Sequence, residues 1–372
     1  MMKTEPFEIF LACAPGLESV LAEEALECGF EDLKTVAGGV VFEGLWPDVW
    51  RANLVLRGAS RVLARIAQFR AQHLAVLDKR ARRVDWSALV KPGTPISVEA
   101  TCRGSRIYHN GAAAQRVANA ISDTLKCPVS ADAKLVFQVR IHNDFCTISV
   151  DTSGELLHRR GFKEAVAKAP MRETLAALFL RAAGYTGQGA VLDPMCGSGT
   201  FVMEAAEKAI GLQAGRARAF AFEHLANFDR EAFTALKSPE PTLAVPTLRH
   251  FGSDRDAGAI RMSAENAKRA GLEHLTQFAC VPISDLQHPD CEPGLIIINP
   301  PYGDRISNRG TLVGVHRTLG LVLRERFSGW RVAMVTSEIA LAKKTGLPFD
   351  APGPWVDHGG IKVRLFQTPV LS

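Results

Sequence analysis

Residues 190–200 read AVLDPMCGSGT, and this stretch decides the fold of the second half of the chain. Three apolar residues predict a short buried strand that ends at Asp193. Gly197 and Gly199 then allow a tight turn, after which Thr200 begins a helix. Because a helix N-terminus offers unpaired N–H groups, this pattern predicts a ligand site at the carboxyl end of a strand.

The acidic residue in this stretch limits which ligand can bind. A phosphate-binding loop would carry a lysine, which is missing here, and Asp193 would repel phosphate. Its carboxylate suits a cation, such as the ammonium group of a methionine moiety. A generic strand–turn–helix without a ligand is the alternative. The candidate binding residues of this turn are Asp193, Pro194, Cys196, Gly197, Ser198, Gly199 and Thr200.

Cys196 lies in the glycine turn and could be a nucleophile. No candidate base stands next to it in the sequence. We therefore expect that Cys196 is not a nucleophile but a small side chain that fills space in the turn.

Helices and apolar strands alternate on both sides of this turn. The spacing predicts helices over 173–184, 200–210, 230–236, 257–270 and 312–327, and strands over 190–193, 295–298, 331–336 and 362–367. Such alternation over about 200 residues is typical of an α/β domain with an open, mostly parallel sheet.

A second candidate strand end is FGSDRD, residues 251–256. Asp254 is placed to bind both ribose hydroxyls of a nucleoside, with Arg255 beside it. Asp256 is better explained as an N-terminal residue of the next helix. A strand end without a ligand remains the alternative for this segment.

The third motif is LIIINPPYG, residues 295–303. Asn299 offers an amide oxygen, and Pro300 and Pro301 fix a turn that directs the Pro300 carbonyl to the same space. Two acceptors can hold both hydrogens of an –NH2 group, and Tyr302 offers a ring on which a base can stack. We therefore interpret Asn299, Pro300, Pro301 and Tyr302 as catalytic, with Asn299 also close to the cofactor.

The first 170 residues are organised differently. A strand over 7–13, a helix over 15–28 and short strands at 34–36 and 40–43 predict a small α+β piece, residues 1–44. Residues 45–154 form a second expected unit, with a strand over 95–100, a helix over 115–126 and a hairpin around Asn143-Asp144. A connector over 155–170 precedes the α/β domain, residues 171–372.

Charge is unevenly distributed along the chain. Residues 43–165 carry 19 basic and 11 acidic side chains, whereas residues 1–42 carry 2 and 8. A basic middle segment, including the run Lys79–Arg83, indicates a surface for a polyanion. A merely solvated basic face is the alternative.

The remaining features exclude several classes of protein. The eight cysteines form no C-x-x-C pair, so neither a metal site nor a disulfide framework is expected. The sequence shows no apolar run of 18 residues and no secretory leader, so we expect a cytoplasmic protein without a membrane contact.

DPMCGSGT, GSDRD and NPPYG, in this order, resemble the class I, Rossmann-like S-adenosylmethionine-dependent amino-methyltransferases. This resemblance implies a seven-stranded, mostly parallel sheet, S-adenosylmethionine as the methyl donor, S-adenosylhomocysteine as the product, and no metal. NPPY is the signature of enzymes that act on planar amines or amides: adenine, cytosine, guanine or glutamine.

The front of the chain narrows the family further. LACAPGLESVLAEEALECGF, NLVLRGASRVLARIAQF and IYHNGAAAQRVANAI resemble bacterial RNA methylases with a ferredoxin-like piece and a THUMP region. The best-described branch is the L half of a two-headed large-subunit enzyme, which methylates N2 of guanine in 23S rRNA. This implies RNA as the partner, namely 23S rRNA or an assembling large-subunit precursor; a monomer is expected.

The resemblance also suggests two further cofactor contacts. KAPMRET, residues 168–174, looks like the element that enters the cofactor pocket, so Thr174 would contact the methionine carboxylate or serve as a helix N-cap. The family usually has an acidic residue near 281–282, where this chain has Val281 and Pro282. Asp285 is the candidate to contact the adenine in its place.

Several other functions stay open at this point. An N6-adenine methyltransferase acting on DNA or RNA would use the same NPPY turn. A protein-glutamine methyltransferase would too, although the basic middle segment argues against it. An RNA-binding protein with an inactive cofactor fold is the non-enzymatic alternative.

Overall fold

The computed structural model describes residues 5–163, 171–237, 241, 250–301 and 309–372. The chain divides into two compact units. Unit 1 gathers the residues up to Cys13, Ala22–Leu157 and Arg218–Lys237, and unit 2 gathers Ala14–Leu21, His158–Ala217 and Ser238–Ser372. Residues 218–237 therefore belong to unit 1, although the sequence places them inside the α/β domain.

Unit 1 is built on one seven-stranded sheet in the order β2-β3-β1-β4-β7-β6-β5. Neighbouring strands are antiparallel except β5 and β6, which are parallel. Strands on both sides of residue 44 belong to this one sheet. The strands are β1 Phe7–Ala12, β2 Lys34–Val36, β3 Gly39–Gly44, β4 Arg61–Arg70, β5 Ile96–Arg103, β6 Leu135–His142 and β7 Phe145–Asp151.

The β6–β7 hairpin closes as the sequence predicts. Asn143 and Asp144 have φ of 50° and 61°, the left-handed pair that a tight two-residue turn requires. Four helices accompany the sheet: α1 Glu18–Glu27, α2 Trp46–Val55, α3 Leu74–Ala81 and α4 Asn110–Leu125. A 3-10 turn follows α3 at Trp86–Ala88.

Residues 218–237 add an aromatic cluster to unit 1. The rings of Phe222 and Phe228 lie 6.3 and 5.7 Å from that of Trp50 in α2. Phe222 N–H donates to Thr152 O at 3.0 Å. Helix α7, Arg230–Leu236, adds Phe233 to the same cluster. Burial of these rings holds the segment against unit 1.

Unit 2 contains a second seven-stranded sheet, in the order β10-β9-β8-β11-β12-β14-β13. The first five strands are parallel, and β14 is antiparallel to β12 and β13. The expected open, mostly parallel sheet is therefore confirmed. Its strands are β8 Val191–Asp193, β9 His250–Asp254, β10 Thr276–Cys280, β11 Leu295–Ile298, β12 Arg331–Thr336, β13 Val356–His358 and β14 Ile361–Gln367.

The helices of unit 2 are α5 Glu173–Ala182, α6 Thr200–Ala209, α8 Ala257–Ala270, α9 Arg309–Arg326 and α10 Ile339–Lys344. β11 is buried at all four positions, since it lies between β8 and β12. The spacing had not predicted α3, α10 or β13. The first two are short, at 8 and 6 residues, and β13 has only 3.

Buried ion pairs fasten helix α6. Arg160 Nε lies 3.1 Å from Glu204 Oε1, and both side chains are almost fully buried. Arg216 pairs with Glu207 one turn later. Each pair links α6 to an arginine outside the helix, one before it and one after it in the chain. The arginines neutralise the two glutamates that α6 buries among apolar neighbours.

Among the described residues no helix is long and apolar enough to cross a membrane.

Candidate active site

The glycine turn connects β8 to α6 and shapes the first part of the site. Gly197 and Gly199 adopt φ of 53° and 79°, a region that side chains disfavour. A Cβ on Gly199 would lie 3.1 Å from the ring of Phe278 and from Ser263 Oγ. The positive φ thus favours glycine at both positions, and close packing also disfavours a side chain at Gly199.

Helix α8 holds this turn in place. Ser263 Oγ donates to the carbonyl of Gly197 at 2.8 Å, and Asn266 Nδ2 donates to that of Ser198 at 3.4 Å. The N–H of Cys196 donates to Ser253 O at 2.9 Å. The N-terminal end of α6 is thus fixed before any ligand binds.

Two carboxylates lie at the ends of the neighbouring parallel strands β8 and β9. Asp193 Oδ1 accepts from Met195 N–H at 3.1 Å, and Asp254 Oδ2 accepts from Gly197 N–H at 3.1 Å. Burial raises the pKa of Asp193 to about 8, with a further contribution from the charge of Asp254. A bound cation would offset this cost, so the pair suits the ligand inferred from the sequence.

Asp254 and Asp256 take separate roles. Asp256 is the N-cap of α8, where its Oδ1 accepts from Gly258 N–H at 2.7 Å. Asp254 Oδ1 accepts from Asp256 N–H at 3.0 Å. The structure thus assigns Asp256 to the helix, as expected, and leaves Asp254 at the strand end beside the exposed Arg255.

Cys196 faces the interior of unit 2. Its Sγ lies 3.9 Å from Ser263 Oγ, and burial raises the pKa of the thiol well above its usual range. A protonated, buried thiol is a poor nucleophile. Cys196 therefore fills space in the turn.

Asn299 follows β11, the strand next to β8 in the sheet. Its Oδ1 is buried and accepts no hydrogen bond from the described part of the chain. Pro300 beside it is buried and Pro301 partly so. A buried acceptor without a donor is costly, so Asn299 Oδ1 fits an incoming N–H group. Tyr302, expected to stack on the base, lies outside the described residues.

A cavity of about 460 Å³ lies along β9 and β10. Ser253 Oγ in its wall is buried, and no described residue bonds to it. Val281 and Asp285 both line the cavity, so the residue predicted to contact adenine stands at its edge. The other lining residues are Leu192, Phe251, Gly252, Gln277, Ala279, Leu286, Gln287, Pro289, Asp290 and Cys291.

Lys163 lies at the end of the glycine turn, where helix α6 begins. Lys163 Nζ donates to Thr200 Oγ1 at 2.7 Å and pairs with Glu173 Oε1 at 3.0 Å. The sequence alone had placed Lys163 only among the basic connector residues, because nothing local to it indicates the partner at Thr200. Thr174 is the second residue of α5 and Arg172 is the N-cap, so the N-cap hypothesis for Thr174 was wrong.

No group of three or more His, Cys, Asp or Glu side chains that could hold a metal occurs within the described ranges. The residues present fit S-adenosylmethionine: the buried carboxyl of Asp193 suits its cationic end, and Asp254, at the end of the neighbouring strand β9, suits the ribose. Sheet order and site together define a Rossmann-like, class I methyltransferase.

Comparison with known proteins identifies the family. Residues 160–347 match the RMKL-like methyltransferase domain, and residues 8–63 match the RlmL ferredoxin-like domain. The chain therefore belongs to the RMKL-like methyltransferase family, and the expected cofactor, S-adenosylmethionine, agrees with this membership.

Individual relatives cover nearly all of this chain. A Synechocystis protein described as an RNA methyltransferase is 32% identical over 98% of this chain and 96% of its own length. The ribosomal RNA large subunit methyltransferase K/L of Syntrophotalea carbinolica is 34% identical over 92% of this chain, but over only 51% of its own length. The chain thus spans about half the length of such K/L relatives.

A crystal structure from Clostridium difficile 630, described as that of a methylase, has the same architecture. It is 29% identical, with a TM-score of 0.89 over 99% of both chains.

Proposed function

We propose that this chain transfers a methyl group from S-adenosylmethionine to an exocyclic amino nitrogen of RNA, with N2 of a guanine in 23S rRNA as the target. The observation that carries the chemistry is the buried Oδ1 of Asn299, which follows β11 and accepts no hydrogen bond from any described residue. The names of the relatives, together with the basic segment 43–165, favour RNA as the polymer.

Asn299 prepares the nucleophile. Its Oδ1 and the Pro300 carbonyl accept the two hydrogens of the target –NH2 group. An aryl amine is a poor nucleophile, because its lone pair is delocalised into the ring. Holding both hydrogens favours a tetrahedral nitrogen whose lone pair is free to attack. The extra proton leaves after transfer, so no strong base is needed beforehand.

The remaining residues bind and orient the cofactor. When bound, S-adenosylmethionine supplies a methyl group made electrophilic by its sulfonium. Asp193 holds the ammonium group and Asp254 the ribose hydroxyls, while Asp285 lies at the edge of the adenine cavity. Lys163, beside Thr200, adds a positive charge where a carboxylate would approach the N-terminus of α6.

The division of the chain follows from the same proposal. Residues 45–154 serve as the RNA-binding region, after a ferredoxin-like piece at 1–44. A connector at 155–170 leads to the methyltransferase domain at 171–372, from which residues 218–237 are excluded because they belong to unit 1. The target base is flipped out of its helix, since an exocyclic amine in a duplex is otherwise out of reach.

The test is methylation of rRNA from a strain that lacks the gene, followed by mass spectrometry of the nucleosides. We expect the enzyme to form N2-methylguanosine in the large-subunit RNA of the deletion strain, and to add no further labelled methyl group to RNA already modified in the parent strain. Label on N6 of adenine would replace the guanine assignment. Label that appears on DNA or protein but never on RNA would refute the proposal.

A further inference from the structure

A second cavity, of about 430 Å³, lies within unit 1. Its volume is in the range of sites for small ligands. The wall combines aromatic rings, arginines and amides, and residues from five parts of the chain contribute to it. The lining residues are Phe7, Trp46, Ile66, Ala67, Gln68, Phe69, Arg80, Arg83, Val84, Asp85, Ala88, Leu89 and Asn227.

One side of the cavity is apolar. The rings of Phe7 and Trp46 lie 5.1 Å apart and are both buried. On β4 the pairing with β7 shifts between Arg65 and Ala67, which leaves Ile66 as an extra residue. Such a bulge redirects the side chains that follow it, and Phe69 is only half-buried here. The cavity therefore has an apolar side on which the partly exposed ring of Phe69 can contact a ligand ring.

The basic run Lys79–Arg83 supplies the charge. Arg82 is engaged, with ion pairs at 2.9 Å to Asp78 and to Asp123. Arg80 and Arg83 line the cavity and are exposed, and their guanidinium groups form no hydrogen bond or ion pair with the described residues. Two guanidinium groups without partners at the rim are suited to a phosphate.

Asn227 contributes a polar group inside the cavity. Its Oδ1 is buried and has no hydrogen-bond partner in the described part of the chain. The backbone beside it is fixed, because Ala226 N–H donates to Leu89 O at 2.8 Å. The carboxylate of Asp85 accepts from Ser87 Oγ and Ala88 N–H, so it is satisfied by its own turn.

We propose that this cavity binds one unpaired nucleotide of the RNA substrate. The cavity is a second RNA contact, separate from the residues proposed for methyl transfer. The base enters against Trp46 and Phe69, its amino or imino N–H donates to Asn227 Oδ1, and the adjacent phosphate contacts Arg80 and Arg83. The inference rests on the proposed function, since it assumes that RNA is the substrate. An acidic peptide is the other ligand that two free arginines could attract.

The test uses the full-length enzyme and fluorescently labelled hexanucleotides of adenylate, cytidylate and uridylate, with binding followed by anisotropy at several salt concentrations. Arg80→Gln/Arg83→Gln should weaken binding by about tenfold or more and make the log–log salt slope shallower by about 0.7, as expected when one phosphate of a single strand is no longer neutralised. Asn227→Leu should weaken binding by about tenfold and leave the salt slope unchanged.

Lys79→Gln is the matched control, because it removes one charge from the same run without touching the cavity. It should change affinity much less than either cavity variant. Asn227→Leu should keep or raise the Tm of the protein, since it removes an unpaired buried acceptor; a structural role for Asn227 would lower the Tm instead.

The outcomes separate the two proposals. If the wild-type enzyme methylates RNA but Lys79→Gln weakens binding as much as the arginine pair and Asn227→Leu has no effect, the nucleotide pocket is refuted and the proposed function stands. Binding of a polyglutamate peptide that requires Arg80 and Arg83, without any effect of these residues on RNA, also refutes it. If the wild-type enzyme neither binds nor methylates RNA, the proposed function is refuted, and the nucleotide pocket is refuted with it.

Discussion

At the scale of single residues, the site is marked by polar groups that are costly in the absence of a ligand. No described residue donates a hydrogen bond to the buried Oδ1 of Asn299, and the carboxyl of Asp193 is buried beside Asp254. Buried polar groups of this kind destabilise a fold unless a bound ligand supplies the missing hydrogen bond or opposite charge, so they are evidence for a ligand.

Replacing Asn299 tests the catalytic role directly. Asn299→Ala removes one of two acceptors for the amino group, and we expect kcat to fall by about 10²–10³, as for the loss of one preorganised polar group. The Kd for S-adenosylhomocysteine should change by less than about threefold. Both are measured by radiolabel transfer and calorimetry. A variant that loses cofactor binding and activity in parallel would assign Asn299 to the cofactor alone.

The raised pKa of Asp193 predicts a pH dependence. Because a cationic ligand requires the ionised carboxylate, S-adenosylhomocysteine should bind more tightly as pH rises from 6 towards the pKa of about 8, by up to about tenfold per pH unit. Near pH 7 binding should release about one proton, measured by calorimetry in buffers of different ionisation enthalpy.

Asp256→Asn is the control for this titration, since Asp256 caps α8 and should not affect proton release. Absence of proton release from the wild type would mean that Asp193 is already ionised. The stability of the ligand-free protein depends on pH in the opposite direction. Between pH 3.8 and about 8 the folded chain keeps the proton of Asp193, whereas the unfolded chain releases it. Asp193 therefore lowers the free energy of unfolding as pH rises to about 8.

At the scale of elements, close backbone contacts position the helices that follow the catalytic turn. Helix α9 begins after residues 302–308 and approaches α10 at Gly320. A Cβ there would lie 1.8 Å from the carbonyl oxygen of Thr345. No side chain fits at this position without moving one of the two helices.

Two glycines on α9 give a matched test. Gly320→Ala should lower the free energy of unfolding by about 1–3 kcal/mol, because it overpacks the contact with α10. Gly314→Ala, on the same helix, meets nothing within 4 Å and should raise it by up to about 1 kcal/mol through helix propensity. Chemical denaturation measures both; equal effects at the two sites would contradict the packing argument.

At the scale of the whole molecule, two units with separate sheets predict two unfolding transitions. S-adenosylhomocysteine should raise the Tm of the transition of unit 2 alone, because the site residues belong to that unit. Phe222→Ala should lower the other transition, by about 3–5 kcal/mol of unfolding free energy, since Phe222 is fully buried in the aromatic cluster of unit 1.

Scanning calorimetry measures these transitions. Phe145→Ala, also in unit 1 but 42% exposed, is the control and should change the free energy by less than about 1 kcal/mol. A Phe222→Ala effect on the ligand-sensitive transition would show that residues 218–237 stabilise unit 2 instead.

Much of this protein was determined by the sequence alone, wherever the information is local. A glycine turn after an acidic strand end, and two prolines after Asn299, restrict backbone geometry within a few residues. Most helices and strands of the α/β domain follow from periodicity in the same way, with β10, α10 and β13 as exceptions. These motifs therefore predicted the parallel sheet, the methyl-transfer chemistry and the separation of Asp254 from Asp256.

Only the tertiary structure decided the rest, because it depends on residues far apart in the chain. The strands before and after residue 44 belong to one sheet. Residues 218–237 belong to unit 1, where Phe222 packs near Trp50. Lys163 donates a hydrogen bond to Thr200. Within the run Lys79–Arg83, Arg82 forms ion pairs, whereas Arg80 and Arg83 line the same cavity as Asn227. Burial and partners are properties of the fold, and no local pattern encodes them.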